Sequence, residues 1–86
     1  MSYLTYMRDT VNRIVNAGDP VDVFVAFYAE AQHPPKEQRS GQWAFNLLCY
    51  VRADLADRVN GSLNLDPFHN DEKLPAFWKF VEDNWL

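Results

Sequence analysis

A chain of 86 residues has room for one small domain with a single hydrophobic core. Its content of 48% hydrophobic and 23% charged residues excludes an intrinsically disordered chain, and a single cysteine, Cys49, excludes a disulfide scaffold and favours a reducing compartment such as the cytosol. The net charge of −4 opposes direct binding to a nucleic-acid backbone or to an anionic membrane.

The first predicted element is a helix over residues 3 to 16. Ser2 is suited to cap this helix because its hydroxyl oxygen can accept a hydrogen bond from the first turn. Gly18 follows the helix as a left-handed stop. The apolar residues at helical spacing are Leu4, Met7, Val11, Ile14 and Val15.

A second helix is predicted to begin at once, with Asp19 as its cap and Pro20 in its first turn, and to end before the pair Pro34-Pro35. Its β-branched and aromatic residues would also suit a strand. A helix is favoured because four of them recur at i, i+3, i+4 and i+7. They are Val21, Phe24, Val25 and Tyr28. Two further apolar residues, Val23 and Phe27, lie off this stripe, so burial on more than one side is expected.

The centre of the chain predicts the most hydrophobic helix, starting at Pro35 or Lys36. Gly41 either marks its true start or permits the close approach of another helix. The apolar stripe consists of Trp43, Ala44, Leu47, Leu48, Tyr50 and Val51. A fourth helix, or the end of a bent third one, then runs over residues 52 to 59 and stops at Asn60-Gly61. Its core positions are Leu55, Ala56 and Val59.

The last third of the chain predicts an ordered loop over residues 62 to 70, one helical turn over residues 70 to 73, and a fifth helix started by Pro75. The loop is expected to be pinned by Leu63, Leu65 and Phe68. The fifth helix places Phe77, Trp78, Val81 and Trp85 at helical spacing. The fold class is therefore all-α: a single domain over residues 1–86, built as an irregular bundle of about five short helices.

Motifs of catalysis or cofactor binding are missing from the sequence. The spacing of His33, His69 and the nearby loop carboxylates matches no known metal-ligand pattern. Cys49 lies in the most hydrophobic helix, which favours a packed thiol over a nucleophile. We predict a non-enzymatic protein without a cofactor, and a small metal-dependent enzyme is the weakest alternative. No run of residues resembles a signal peptide or a membrane span, so a soluble cytosolic protein is expected.

The acidic residues offer a second alternative, a protein that mimics the phosphates of a nucleic acid and blocks a DNA- or RNA-binding protein. The residues of this acidic row are Asp54, Asp57, Asp66, Asp71, Glu72, Glu82 and Asp83. Four cations interrupt the row, namely Arg52, Arg58, Lys73 and Lys79, and this favours an ordinary solvated surface.

A protein partner is the favoured interpretation, and the segment from Leu65 to Trp78 is the candidate contact region. It combines a proline-stiffened loop with large apolar side chains, which suits either a cover for the core or an interface. The candidate contact residues are Asp66, Phe68, His69, Asp71, Glu72, Trp78 and Trp85. Trp85 is expected to be surplus to the core, so that it docks on the first helix or contributes to a homodimer.

A gapped pattern covers the second half of the chain. It consists of Arg39-x-Gly41-Gln42, Asn46, Arg52-x-Asp54-Leu55-Ala56, Gly61, Asp66-Pro67-Phe68, Asp71, Leu74-Pro75-Ala76-Phe77 and Trp85. In this order it resembles a group of small proteins encoded by tailed bacteriophages and prophages, which often carry proline where this chain has Ala53. The resemblance implies a phage or prophage source and a bacterial cytoplasmic location. By analogy it implies binding of a phage or host protein, with modulation of a host process or antagonism of a host defence system as the favoured version.

Overall fold

The computed structural model describes residues 2–86, which form five α-helices and one 3-10 turn without any β-strand. The helices are α1 (Tyr3–Val15), α2 (Pro20–Ala31), α3 (Ser40–Val51), α4 (Ala53–Val59) and α5 (Leu74–Asn84), and the 3-10 turn spans Asp71–Lys73. The all-α prediction is confirmed, including the number of helices. No helix within residues 2–86 is both long and apolar enough to cross a membrane.

The first two helices begin where their capping residues predict. The Ser2 hydroxyl accepts a hydrogen bond from the Thr5 backbone N–H at 3.1 Å. At α2 the Asp19 carboxylate accepts from the Asp22 N–H at 2.9 Å, and the Asp22 carboxylate accepts from the Asp19 N–H at 3.3 Å. This reciprocal capping box fixes a helical start, which settles the choice between helix and strand. Gly18, with φ of +145°, turns the chain from one helix to the next.

The core is centred on α3, which contacts α1, α2 and α4. Trp43 is fully buried, and its indole N–H donates to the Glu30 carbonyl at 3.1 Å. Large side chains from four other helices complete the core. They are Ile14 of α1, Phe27 of α2, Leu55 and Val59 of α4, and Phe77 and Val81 of α5.

Two helix boundaries lie in the centre of the chain. The first differs from the predicted one, and the second shows that the third and fourth helices are separate. The third helix begins at Ser40 rather than at Pro35 or Lys36, because the residues after the prolines form a turn in which the Gln38 N–H donates to the Pro35 carbonyl. Helices α3 and α4 are separate because Arg52 adopts φ −143° and ψ 78°, which is outside the helical region.

The orientation of α2 differs from the stripe read in the sequence. Phe27, which lies off the stripe, is fully buried, whereas Val21, Val25 and Tyr28 are 55%, 59% and 47% exposed. When apolar residues lie on all sides of a helix, the sequence does not indicate which side faces the core.

Of the three residues expected to pin the loop, Leu63 is exposed, whereas Leu65 and Phe68 are half-buried against the core as predicted. The fully buried Pro67 also holds the loop.

Trp85 is a core residue, and the expectation that it is surplus is wrong. Its side chain is 6% exposed, and its indole N–H donates to the Pro20 carbonyl at 2.7 Å. The ring stacks on Phe27 at 5.9 Å and meets Phe24 edge-on at 5.2 Å. The guanidinium of Arg52 lies 4.9 Å from the ring centre. Trp85 therefore docks on α2 and not on α1.

Candidate functional site

The predicted contact segment is tied to the start of α3. The Arg39 guanidinium donates to an Asp71 carboxylate oxygen at 2.9 Å and also to the Phe68 carbonyl. The Gly41 backbone N–H donates to the same Asp71 oxygen at 2.9 Å, so Asp71 caps a helix that has no side-chain cap of its own. Gly41 lies so close to the Pro67 carbonyl that a Cβ there would overlap it. We call these five residues the α3–loop clamp.

The rest of the loop is organised by Asp66 and Phe68. The Asp66 carboxylate accepts hydrogen bonds from the Gly61 and Phe68 backbone N–H groups, each at 2.9 Å, and thereby closes a turn. The half-buried Phe68 ring meets Phe45 edge-on at 5.9 Å, and His69 lies against its outer side at 4.8 Å. A shallow pocket of about 260 Å³ opens here. The one carboxylate that lines this pocket, Asp66, already accepts hydrogen bonds from two backbone N–H groups.

The seven predicted contact residues therefore fall into different environments. Asp66 and Asp71 hold backbone groups, and Trp85 is buried. Phe68 and Trp78 are half-buried against the core, and His69 and Glu72 are exposed. The structure does not bring the seven together as one surface, because most of them stabilise the loop or the core.

A different apolar surface surrounds Trp78. Its ring packs on Phe27 at 5.1 Å and meets Tyr28 edge-on at 4.8 Å. Together with Phe24 and Glu82, the Tyr28 and Trp78 rings line an open groove of about 370 Å³ between α2 and α5. The backbones of α2 and α5 do not pack closely here, and the Tyr28 and Trp78 rings bridge the two helices. Because the backbones stay apart, the groove is open to solvent.

Val21 and Val25 continue this surface along α2 at the spacing i, i+4, i+7 with Tyr28. We call the surface formed by Val21, Val25 and Tyr28 of α2, together with Trp78 and Glu82 of α5, the α2 outer face. The stripe in the sequence contained three of these residues. Sequence reasoning assigned them to the core because a helical apolar stripe most often faces inward.

The charge on the α2 outer face is negative. The sequence from residue 14 to residue 35 contains no Lys or Arg and three acidic residues. Two of them, Asp19 and Asp22, cap the start of α2, and the third, Glu30, is bound by Arg13 at 2.9 Å. Glu82 lines the groove, and it forms no ion pair among residues 2–86.

The acidic row proposed for nucleic-acid mimicry is largely engaged in local contacts. Asp54 pairs with Arg52 at 2.8 Å, Asp71 with Arg39 at 2.9 Å, and Asp83 with Lys79 at 3.2 Å. The hydrogen bond from Arg52 lowers the pKa of Asp54 to about 2. These pairs neutralise three of the seven acidic residues and thereby interrupt the row.

Within residues 2–86, no three His, Cys, Asp or Glu side chains lie close enough together to hold a metal ion. Cys49 is half-buried, and burial raises the pKa of its thiol, with the charges of Asp57 and Asp66 adding to the rise. At neutral pH this thiol is protonated and therefore a weak nucleophile.

A larger open groove, about 600 Å³, lies between the start of α1 and the turn at residues 35 to 38. Its Tyr3 hydroxyl accepts a hydrogen bond from the Gln38 amide at 2.6 Å and donates to the Met7 sulfur. The Tyr6 hydroxyl donates to the His33 carbonyl at 3.3 Å. The Tyr3 hydroxyl therefore joins α1 to the turn, and the Tyr6 hydroxyl joins α1 to the chain just after α2.

Comparison with protein-family models, with curated proteins and with solved structures gives no match to this chain. The surface feature that most strongly suggests a function is therefore the α2 outer face.

Proposed function

We propose that this protein is a non-enzymatic binding protein of phage or prophage origin, and that its α2 outer face contacts another protein. The observation that supports this proposal is the exposure of Val21, Val25 and Tyr28 on one side of a helix, next to the half-buried Trp78. Contiguous apolar patches on small proteins mark interaction sites, and aromatic residues dominate the binding energy at such sites.

The partner in this proposal is a different protein and not a second copy of the chain. A symmetric dimer would place the same surface on both sides of the interface. The segment from residue 14 to residue 35, which has no cation, would then face itself, and each chain carries a net charge of −4. Like charges brought together in this way oppose association, so a partner with a cationic contact surface is favoured.

The partner is proposed to be a host protein, and the favoured version is modulation of a host process or antagonism of a host defence system. This part of the proposal depends on the resemblance of the second half of the chain to small phage and prophage proteins. The pattern residues themselves support the fold: Arg39, Gly41 and Asp71 belong to the α3–loop clamp.

The test is a pull-down from a lysate of the bacterium that encodes the chain, with the wild type and two matched variants. Val25→Asp places a charge in the α2 outer face, and Leu63→Asp makes the same kind of change in the exposed loop. We expect one host protein to be retained by the wild type and by Leu63→Asp, and to be reduced about ten-fold by Val25→Asp.

Equal retention by all three proteins would overturn the assignment of the surface. Stronger retention with both variants would show that the captured protein responds to the added negative charge, as expected for the nucleic-acid mimic. Circular dichroism of each variant, showing the wild-type helix content, excludes unfolding as the cause.

A further inference from the structure

We infer that the segment recognised by the α2 outer face is an amphipathic helix that carries a Lys or Arg next to its apolar side, with this cation placed at Glu82. This inference rests on the proposed function and specifies the chemistry of the partner. Three properties of the surface support it, namely its spacing, its groove and its charge.

The spacing of the apolar residues matches a helix. Val21, Val25 and Tyr28 lie along one line of α2 and span seven residues, a rise of roughly 10 Å or two helical turns. A second helix laid beside this line can oppose it with its own residues at i, i+4 and i+7. Recognition by strand addition needs an exposed strand edge, and residues 2–86 contain no strand.

The groove next to this line provides a place for a large side chain. Its lining consists of Phe24, Tyr28 and Trp78 on the apolar side and Glu82 on the polar side. Tyr28 and Trp78 already meet edge-on at 4.8 Å, so little side-chain freedom is lost when a partner residue packs on them. Apolar contact on the rings and a carboxylate at the rim are the features of a small interface.

The charge of the surface selects the partner. Glu82 is the carboxylate at the groove, and Asp22 lies one residue from Val21 on α2. The positive pole at the start of α2 is met by its own capping residues, Asp19 and Asp22, so it does not attract an anion. An acidic segment would therefore be repelled, while a basic one gains an ion pair and faster association.

The experiment uses the full chain, isotopically labelled, and two synthetic helical peptides of about four turns each. One peptide has Leu on one face and Lys on the other, and the second has Glu in place of every Lys. Nuclear magnetic resonance follows the methyl groups of Val21 and Val25 and the indole N–H of Trp78. We expect the Leu/Lys peptide to shift these signals with an affinity about ten-fold higher than that of the Leu/Glu peptide.

Charge reversal at Glu82 tests the placement of the cation. We expect Glu82→Lys to weaken the Leu/Lys peptide about three-fold and to strengthen the Leu/Glu peptide, as for a solvent-exposed ion pair. Glu37→Lys, in the exposed turn before α3, makes the same change in net charge and is the matched control. We expect Glu37→Lys to change the affinity for either peptide by much less than Glu82→Lys does.

Each contrary result has a distinct meaning. Equal affinities for the two peptides, equal effects of Glu82→Lys and Glu37→Lys, or no shift of the named signals would overturn the inference. Shifts centred on the acidic residues of α4, Asp54 and Asp57, would overturn it as well. The proposed function is tested separately, because it fails only if Val25→Asp leaves capture of the host protein unchanged.

Discussion

The α3–loop clamp and the α2 outer face differ in whether their charged groups have partners within residues 2–86. In the clamp, Arg39 and Asp71 bind each other, the backbone of Gly41 and the Phe68 carbonyl, so their polar atoms are already engaged. On the α2 outer face, the Glu82 carboxylate forms no ion pair among residues 2–86. The side chains of Val21 and Val25 are exposed to solvent.

This difference separates residues that hold the fold from residues that are available to a partner. Several residues of the pattern that resembles small phage proteins lie in the clamp and the loop, where a change would disturb the backbone. The exposed apolar residues of α2, Val21, Val25 and Tyr28, lie in the first half of the chain, outside that pattern.

Replacing Gly41 by Ala is the strongest way to test the clamp. The new Cβ would overlap the Pro67 carbonyl oxygen, which belongs to the backbone and moves only if the loop moves. We expect a loss of about 2 kcal/mol in the free energy of unfolding, after the gain in helix propensity is included. Thermal unfolding would show a decrease in Tm of about 10 °C.

Gly61→Ala is the matched control, because Gly61 has φ of +78° and no atom within 4 Å of an added Cβ. Only backbone strain opposes this substitution, at a cost of about 1 kcal/mol. A loss at Gly41 no larger than the loss at Gly61 would show that the loop does not approach α3 closely.

Replacing Asp71 separates the two contacts of its carboxylate. We expect Asp71→Ala to lower the free energy of unfolding by about 1 kcal/mol, because the Gly41 N–H loses its acceptor at the start of α3. Asp71→Asn keeps an oxygen there, so its loss should be about half as large.

The ion pair with Arg39 is partly exposed and contributes little. Urea unfolding at low and at high salt checks this assignment. A difference between wild type and Asp71→Ala that disappears at high salt would mean that the ion pair, and not the helix cap, stabilises the junction.

Local chemistry explains which features the sequence predicts. The caps at Ser2 and Asp19 act within three residues, and both helix starts are found where the sequence places them. The start of α3 is different, because its cap, Asp71, lies 30 residues away from Gly41. No local pattern at Pro35 or Ser40 contains that information.

The direction of an apolar face is equally difficult to predict. The α2 stripe was visible in the sequence, but Phe27 and Val23 on the other side competed with it for the core. The positions of α1, α3 and the end of the chain from Trp78 to Trp85, against which α2 packs, decide that Phe27 is buried and Val25 is exposed. The candidate surface was thus present in the sequence as a pattern with the wrong orientation.

A substitution in the α2 outer face is expected to change the stability of the protein much less than a substitution in the clamp. We expect Val25→Asp to change the free energy of unfolding by less than about 0.5 kcal/mol, because Val25 is 59% exposed and Val and Asp have similar helix propensities. Urea unfolding checks this expectation. A loss above about 1 kcal/mol would place Val25 in the core packing and remove it from the proposed interface.

The smallest predicted effect concerns the exposed pair at the start of α4. We expect the carboxyl of Asp54 to titrate with a pKa of about 2, and to return toward 3.8 in Arg52→Met, because the guanidinium hydrogen bond is lost. Side-chain nuclear magnetic resonance signals followed against pH measure both values.

The sign of this effect on stability follows from the lowered pKa. The ionised Asp54 stabilises the folded state above pH 3.8, and this contribution is lost as the pH falls through about 2. An unchanged pKa of Asp54 in Arg52→Met would contradict the assigned cause.

The hydrogen bond between the Trp85 indole and the Pro20 carbonyl joins residues that are 65 positions apart in the sequence. A contact of such separation restricts a long loop, so its entropic cost is met only when the intervening helices are already in place. We expect the docking of Trp85 on α2 to be among the last steps of folding. The side of α2 that carries Phe24 and Phe27 is therefore covered by Trp85 only after the other helices have assembled.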